Sequence, residues 1–319
     1  MVEGTTPTPR DLSQPFVAIL MCTLNGALFL LEQLESIANQ NHSNWVLWVS
    51  DDGSSDGTLE ILRTTQQRWG AERLRIIEGP RKGFARNFLS LACHPEIEAD
   101  YYAFSDQDDI WLPSKLTRAL EKLTEQPNNT ALLYGSRTSL IDETGKPIGI
   151  SPLIPKRLDF SNALVQNVAG GNTMVFNHAL VKTLRHAGAD LDIVSHDWWL
   201  YIATTATQGK ALFDQEPHVL YRQHKDNLVG SNMGLTSRFK RLQKLFSGQF
   251  AGWIQQNNLC LQKLETHMTI EAIHRAQLLA SIHQVYLYKR LVYFFQSGVR
   301  RQSMIGNVAL LAVVALNQL

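Results

Sequence analysis

Residues 44–70 read NWVLWVSDDGSSDGTLEILRTTQQRWG. The opening run is apolar and of strand length, the middle is an acidic turn, and the rest is a helix that Gly70 closes. The pattern recurs on both sides. FVAILMCTLNG (16–26) is a buried strand feeding the helix ALFLLEQLESIANQ (27–40). LRIIEG (74–79) leads through the basic loop PRKG into the helix FARNFLSLACH (84–94). DYYAFSDQDD (100–109) precedes PSKLTRALEKLTEQ (113–126), a helix with Pro113 at its start. Strands alternating with helices predict an α/β fold with a Rossmann-like, mostly parallel sheet covered on both faces. Ligands of such sheets sit beyond the carboxyl ends of the strands. Asn25, Asp51, Asp52 and the cluster Asp106, Asp108 and Asp109 all fall there.

Beyond residue 130 the pattern loosens. ALLYGSRTSLID (131–142) and PIGI (147–150) flank the turn DETGK and suggest a hairpin. NVAGGNTMVF (167–176) is a loop leading into a strand, SHDWWLYIATTATQG (195–209) is helical, and KALFD (210–214) is a short strand. From 236 onward the chain is expected to be mostly helical. Charge divides at the same place: residues 1–235 carry 20 Lys and Arg against 27 Asp and Glu, whereas 236–319 carry 10 against 2. A basic segment needs an anionic partner or a solvated face. Cys22, Cys93 and Cys260 have neither metal-ligand spacing nor a disulfide framework, which suits a reducing compartment. Residues 1–15 lack the apolar core of a signal peptide and read as a disordered leader.

Each polar constellation has two readings. Alternation in an extended segment turns Asp106 and Asp108 to one side and Asp109 to the other, so the first two can share a hard divalent cation. The same residues can be an acidic turn or helix start. Asp51 and Asp52 can accept from a base imide or a ribose hydroxyl, or simply shape a βα turn with Ser55 or Asp56 as cap. Lys82 and Arg86, with Asn87, follow the third strand and can hold a nucleotide, or be a solvated helix start. Asp197, beside Trp198 and Trp199, can be a general base or a helix cap. Arg222, His224 and Lys225 can meet a diphosphate or form a polar loop. No G-x-G-x-x-G follows a strand.

Taken in order, CTLNG (22–26), DDGSSDGT (51–58), GFARN (83–87) and SDQDD (105–109) resemble the nucleotide-sugar half of inverting family 2 glycosyltransferases of the GT-A fold. GGNT (170–173), SHDWW (195–199) and YRQH (221–224) with Asn227 resemble the rhamnosyltransferase branch of that family. The resemblance implies a GT-A domain over 16–235, with a nucleotide-sugar half (16–112) and an acceptor half (113–235), and a basic helical extension over 236–319. It implies that Thr23, Asn25, Asp51, Asp52, Lys82, Arg86, Asp106 and His224 bind the donor. Asp106 and Asp108 would hold Mg²⁺ or Mn²⁺, with Asp108 the more direct ligand. Asp197 would be the catalytic base. Gly170, Gly171, Asn172, His196, Trp198 and Trp111 would line the acceptor side. Here His196-Asp197 stands where the family commonly has Glu-Asp, and the late Gln-x-x-Arg-Trp motif of its polymerising members is missing.

The expected reaction is a single inverting displacement moving L-rhamnose from dTDP-β-L-rhamnose to a hydroxyl of a glycan or lipid-linked glycan, in bacterial surface polysaccharide synthesis. The alternatives are a UDP- or GDP-linked donor, or a non-catalytic nucleotide-sugar-binding module. A nucleotidyltransferase would carry a Gly-rich basic loop after the first strand, which CTLNGALF lacks. The basic extension would meet an anionic membrane surface, pack as a helical cap or form a homodimer contact. No nucleic-acid partner is expected. The expected location is cytoplasmic, peripheral on the inner face of the plasma membrane.

Overall fold

The computed structural model describes residues 5–225 and 248–319. Asn227 and the stretch 236–247 of the basic extension lie outside the described residues. Eleven strands are present among those described: β1 (Val17–Thr23), β2 (Trp45–Asp51), β3 (Leu74–Glu78), β4 (Tyr101–Ser105), β5 (Ile110–Trp111), β6 (Leu132–Ser136), β7 (Ser139–Ile141), β8 (Pro147–Ile150), β9 (Val175–Asn177), β10 (Lys210–Asp214) and β11 (Val219–Arg222). The helices are α1 (Leu30–Ala38), α2 (Thr58–Trp69), α3 (Phe84–Cys93), α4 (Lys115–Thr124), α5 (Phe160–Ala163), α6 (His178–Ala187), α7 (His196–Ala206), α8 (Gln249–Leu261), α9 (Ile270–Ser281), α10 (Leu287–Ser297) and α11 (Met304–Ala315).

Seven strands form the central sheet in the order β10-β6-β9-β4-β1-β2-β3. β1 and β2 are buried along their whole length, as uninterrupted apolar strands must be when both faces are covered. The pleat sorts their side chains. Val17, Ile19 and Met21 share a core with Leu34 of α1, Leu62 of α2 and Leu120 of α4. Ala18, Leu20 and Cys22 face the other way, toward Phe88 of α3, Leu184 of α6 and Trp199 of α7. The sheet is mixed: β9 runs antiparallel to both β4 and β6, while the other pairs are parallel. The expected hairpin is present as β7 and β8. The first part of ALLYGSRTSLID is instead a separate strand, β6, which joins the central sheet beside β10. β5, β11, β7 and β8 make a second, small sheet.

The chain leaves β1 toward β2 and β3 on one side, with β4 on the other. At such a reversal of strand order, ligands of α/β sheets bind in the crevice beyond the carboxyl ends of the strands, here those of β1 and β4. Gln107, just after β4, ties the loops after β1 and β4 together: its Oε1 accepts from Leu24 N at 2.9 Å and its Nε2 donates to Leu24 O at 3.1 Å.

One expectation changes. Residues 5–15 lie along the body rather than forming a disordered leader. Trp69 Nε1 donates to Thr5 O at 3.0 Å, Arg73 Nη2 to Thr8 O at 2.6 Å, and Arg10 Nε to Asn44 Oδ1 at 3.0 Å. In the extension, α8 to α11 add residues such as Ile254, Leu279, Phe294 and Leu310 to the core on the α6–α7 face. No helix among the described residues is long and apolar enough to cross a membrane.

The turn from α7 into β10 requires glycine. A Cβ on Gly209 would fall 2.5 Å from both Ala131 O and Thr204 O, which are backbone atoms with little freedom to yield. Gly209→Ala is therefore expected to lower stability by about 1–3 kcal/mol, measured by urea denaturation.

Candidate active site

The turn after β2 is built from its own acidic residues. Asp51 Oδ1 accepts from Gly53 N and Ser54 N, and Oδ2 accepts from Ser54 Oγ at 2.6 Å and Thr23 Oγ1 at 2.8 Å. Burial would raise its pKa, but the bonds from Ser54, Thr23 and Gly53 outweigh it and hold the carboxyl below its usual range. Asp51 and Thr23 are thus spent on each other, and neither is free to bind a donor as expected. Asn25, at a φ of +50°, accepts from Ser55 N on Oδ1, and its own N donates to Ser54 Oγ. It fastens the first loop to the second. Asp52 is half-buried and points toward the next loop, accepting from Arg81 N at 2.6 Å and Gly83 N at 3.2 Å.

Lys82 and Arg86 reach across to the other half of the domain. Lys82 Nζ lies 3.3 Å from Asp190 Oδ1, and Arg86 pairs with Asp190 at 2.7 Å and Asp192 at 3.4 Å. Both aspartates are more than three-quarters exposed. Pairs this open are worth about 0–1 kcal/mol, so a bound diphosphate can compete for these cations.

After β4 the acidic residues separate as alternation predicts. Asp109 is fully buried, accepting from Asn172 Nδ2 at 2.6 Å and from Arg222 N at 3.1 Å. Burial pushes its pKa well up, reinforced by Asp108 and Asp106. Asp106 and Asp108 are half-buried, just beyond the carboxyl end of β4. Burial, then the charges of Asp108 and Asp197, push Asp106 up to about 7, with Lys115 opposing. Asp108 Oδ2 lies 2.8 Å from His224 Nε2, and the His224 ring packs 5.2 Å from Phe29. The sequence left Arg222 open between a diphosphate contact and a polar loop. It is buried instead, donating from Nε to Asp108 O and from Nη1 to Glu143 O, and pairing through Nη2 with Glu32. Nothing in sequence spacing linked Arg222 to Glu32 or Lys115 to this site.

Asp197 lies in the first turn of α7, where a helix N-terminus favours a negative charge. Its Oδ1 accepts from Ser195 Oγ at 2.5 Å and Trp198 N at 2.7 Å. Oδ2 carries no hydrogen bond among the described residues. The negative charge of Asp197 is among the influences that raise the pKa of Asp106, after burial and Asp108.

Several acceptor-side assignments are corrected. Trp111 is buried beneath Lys115, whose ammonium sits 3.2 Å from the ring centroid. Trp198 is buried and donates Nε1 to Ala163 O at 2.7 Å. Neither can touch an acceptor. Asn172 is committed to Asp109 and acts by positioning it. His196 is buried in an aromatic box, stacked on Phe88 at 4.0 Å and edge-on to Phe104 at 4.9 Å. A Cβ on Gly171 would fall 2.2 Å from His196 Nε2, so the loop can cross the imidazole only as glycine. Gly170, beside it, remains exposed at the surface.

The residues suit a divalent cation. Among the described residues no cluster of three or more His, Cys, Asp and Glu side chains could hold a metal alone. Hard cations such as Mg²⁺, however, commonly take one or two carboxylates plus diphosphate oxygens. Asp106, whose pKa stands high because of burial and then its carboxylate neighbours, is a group whose ionisation a cation would favour.

The architecture is that of a GT-A-like transferase. The crystal structure of residues 1–349 of TarS from S. aureus in complex with UDP-GlcNAc superposes with a TM-score of 0.53 at 12% identity, covering 89% of this chain and 92% of that one. The profile of glycosyl transferase family 2 matches residues 18–184. A dTDP-rhamnosyl transferase, RfbG of Shigella flexneri, is 30% identical over 229 residues, 70% of this chain and 78% of its own. WfgD of Escherichia coli, a UDP-Glc:α-D-GlcNAc-diphosphoundecaprenol β-1,3-glucosyltransferase, is 25% identical over 52% of this chain and 62% of its own. The chain belongs to glycosyl transferase family 2.

Two measurements test this geometry. Burial lowers the His196 pKa from 6.5 to about 4. Its imidazole should stay neutral in an NMR titration until the pH nears 4. The unfolded chain takes up that proton first, so the stability tied to His196 is whole above pH 6.5 and declines as the pH falls through 4. Asn172→Ala should cost about 1–3 kcal/mol in urea denaturation by leaving Asp109 Oδ2 without its donor. A change in acceptor KM with unaltered stability would return Asn172 to the acceptor.

Proposed function

We propose that this transferase moves L-rhamnose from dTDP-β-L-rhamnose to a hydroxyl of a glycan or lipid-linked glycan in bacterial surface polysaccharide synthesis. The observation that carries the catalytic assignment is the setting of Asp197 in the first turn of α7, with Oδ1 fixed by Ser195 and Trp198 and Oδ2 without a hydrogen bond among the described residues. The likeness to a dTDP-rhamnosyl transferase supports the donor. The acceptor class draws support from WfgD, whose name specifies a diphosphoundecaprenol-linked sugar.

In this reading Asp106 and Asp108 hold a divalent cation, with His224 orienting Asp108 through its 2.8 Å contact. Such a cation, when bound, acts as a Lewis acid that neutralises charge on the departing diphosphate. Asp52 shapes the loop against which the nucleoside lies, by gripping Arg81 N and Gly83 N. Lys82 and Arg86 exchange Asp190 and Asp192 for phosphate oxygens. Ser195 and Trp198 fix Oδ1 of Asp197, which leaves Oδ2 to take the acceptor proton. The acceptor oxygen bonds to C1 as the C1–O bond to the diphosphate breaks. A single displacement inverts the centre, and the product is an α-L-rhamnoside.

A UDP-linked donor is the second reading, favoured by the likeness to WfgD. Thermal-shift titration with dTDP-rhamnose, UDP-glucose and GDP-mannose, with and without Mg²⁺ or Mn²⁺, separates the two, because a ligand of the native state raises the melting temperature. The dTDP-sugar is expected to give the largest shift, and only with metal. Asp197→Asn should lower kcat by about 10²–10⁴-fold, the typical contribution of a positioned base, while donor binding persists. Unchanged turnover in that variant removes Asp197 from the mechanism.

A further inference from the structure

The extension ends in an antiparallel helix pair. Arg290 near the start of α10 donates Nη1 to Ala315 O at the end of α11 at 3.2 Å. One side of each helix is core: Phe294 and Ser297 of α10, and Leu310, Val313 and Val314 of α11. The other side is not. Tyr288, Val292 and Phe295, spaced four and three apart, form one stripe of α10 and are 65%, 45% and 67% exposed. Met304, Ile305 and Val308 of α11 are 81%, 74% and 68% exposed. Nine of the 19 exposed large apolar side chains among the described residues fall between 286 and 316, about a tenth of the chain. Scattered apolar side chains are ordinary on a surface, whereas a concentration marks an interaction site.

Charge identifies the partner. Residues 272–319 contain no Asp or Glu and five Lys and Arg; Arg275 pairs with Glu271 and Arg300 with Asp159, so the segment stays net basic with those partners counted. A second copy would set this basic segment against itself. An anionic lipid surface complements it, and bulky apolar and aromatic residues interleaved with cations are the composition of helices lying at a headgroup boundary. The pair is also fastened to the acceptor side of the domain. Asn162 Nδ2 donates to Arg300 O at 2.8 Å, Arg301 Nη1 to Val165 O at 3.0 Å, and Gln302 N to Gln166 Oε1 at 2.8 Å. From Gln166 the chain runs directly into Gly170, Gly171 and Asn172.

We propose that α10 and α11 dock the chain on an anionic phospholipid surface by inserting Tyr288, Val292, Phe295, Met304, Ile305 and Val308 at the headgroup boundary. This stands on the helix pair alone and holds for any donor or acceptor. The test is co-sedimentation of the full-length protein with vesicles of phosphatidylcholine, with and without phosphatidylglycerol. The expected result is binding that phosphatidylglycerol strengthens and added salt weakens. V292S/F295S/V308S should bind at least about tenfold more weakly with an unchanged melting temperature. Because each change is at an exposed position, folding should survive; K289E provides an independent variant, expected to lose about fivefold or more in phosphatidylglycerol-dependent binding. Absence of wild-type binding, or equal binding by wild type and the triple variant, overturns the proposal. So does a wild-type dimer in light scattering that the triple variant converts to monomer without any effect on vesicle binding.

Discussion

A buried carboxylate organises this active site. Asp109 sits under Asp106 and Asp108, and three acidic groups so close would repel one another without local compensation. Asn172 and the backbone of Arg222 hold Asp109 in place, and the Arg222 guanidinium grips Asp108 O, Glu143 O and Glu32. Five distant stretches of chain meet at these bonds. With Asp109 secured below, Asp106 and Asp108 remain half-buried just beyond β4, with His224 beside Asp108. That condition suits a metal–diphosphate ligand.

Around this centre most polar residues hold other residues rather than substrate. Thr23 holds Asp51, Asp51 holds the turn at Ser54, Asn25 joins two loops, and Asp52 shapes the loop at Arg81. The arrangement is consistent with the energetics of buried polar groups, which must be hydrogen-bonded within the protein or left at a cost. Groups near the strand ends with capacity to spare include Asp106, Asp108, Asp197, and the cations Lys82 and Arg86, whose present partners are exposed and weakly held. Those are the groups to which the proposed donor and acceptor chemistry is assigned. His196 illustrates the opposite case, a histidine beside the proposed base that is buried among Phe84, Phe88 and Phe104 and serves as packing.

The α/β alternation up to residue 126 was legible because fully buried strands have unbroken apolar sequences and surface helices have a 3.6-residue period. The positions of Asp51, Asp52, Asp106 and Asp108 at strand ends were legible for the same reason, and their motif order carried the family. β9 was not legible as an antiparallel strand, since three buried residues contain no information about direction. The assignments of Trp111 and Trp198 to the acceptor failed because an aromatic residue near an acidic motif reads alike whether it lines a cleft or fills a core.

The sequence by itself determined the layered sheet, the edge on which the site lies and the separation of Asp109 from Asp106 and Asp108, since all three follow from local period and pleat. Only the tertiary structure decided which polar groups are committed and which are available. Pairings such as Arg222 with Glu32, Asn172 with Asp109, and Arg86 with Asp190 join residues between 63 and 190 positions apart. No local rule spans such distances; the packing of the two halves against each other sets them.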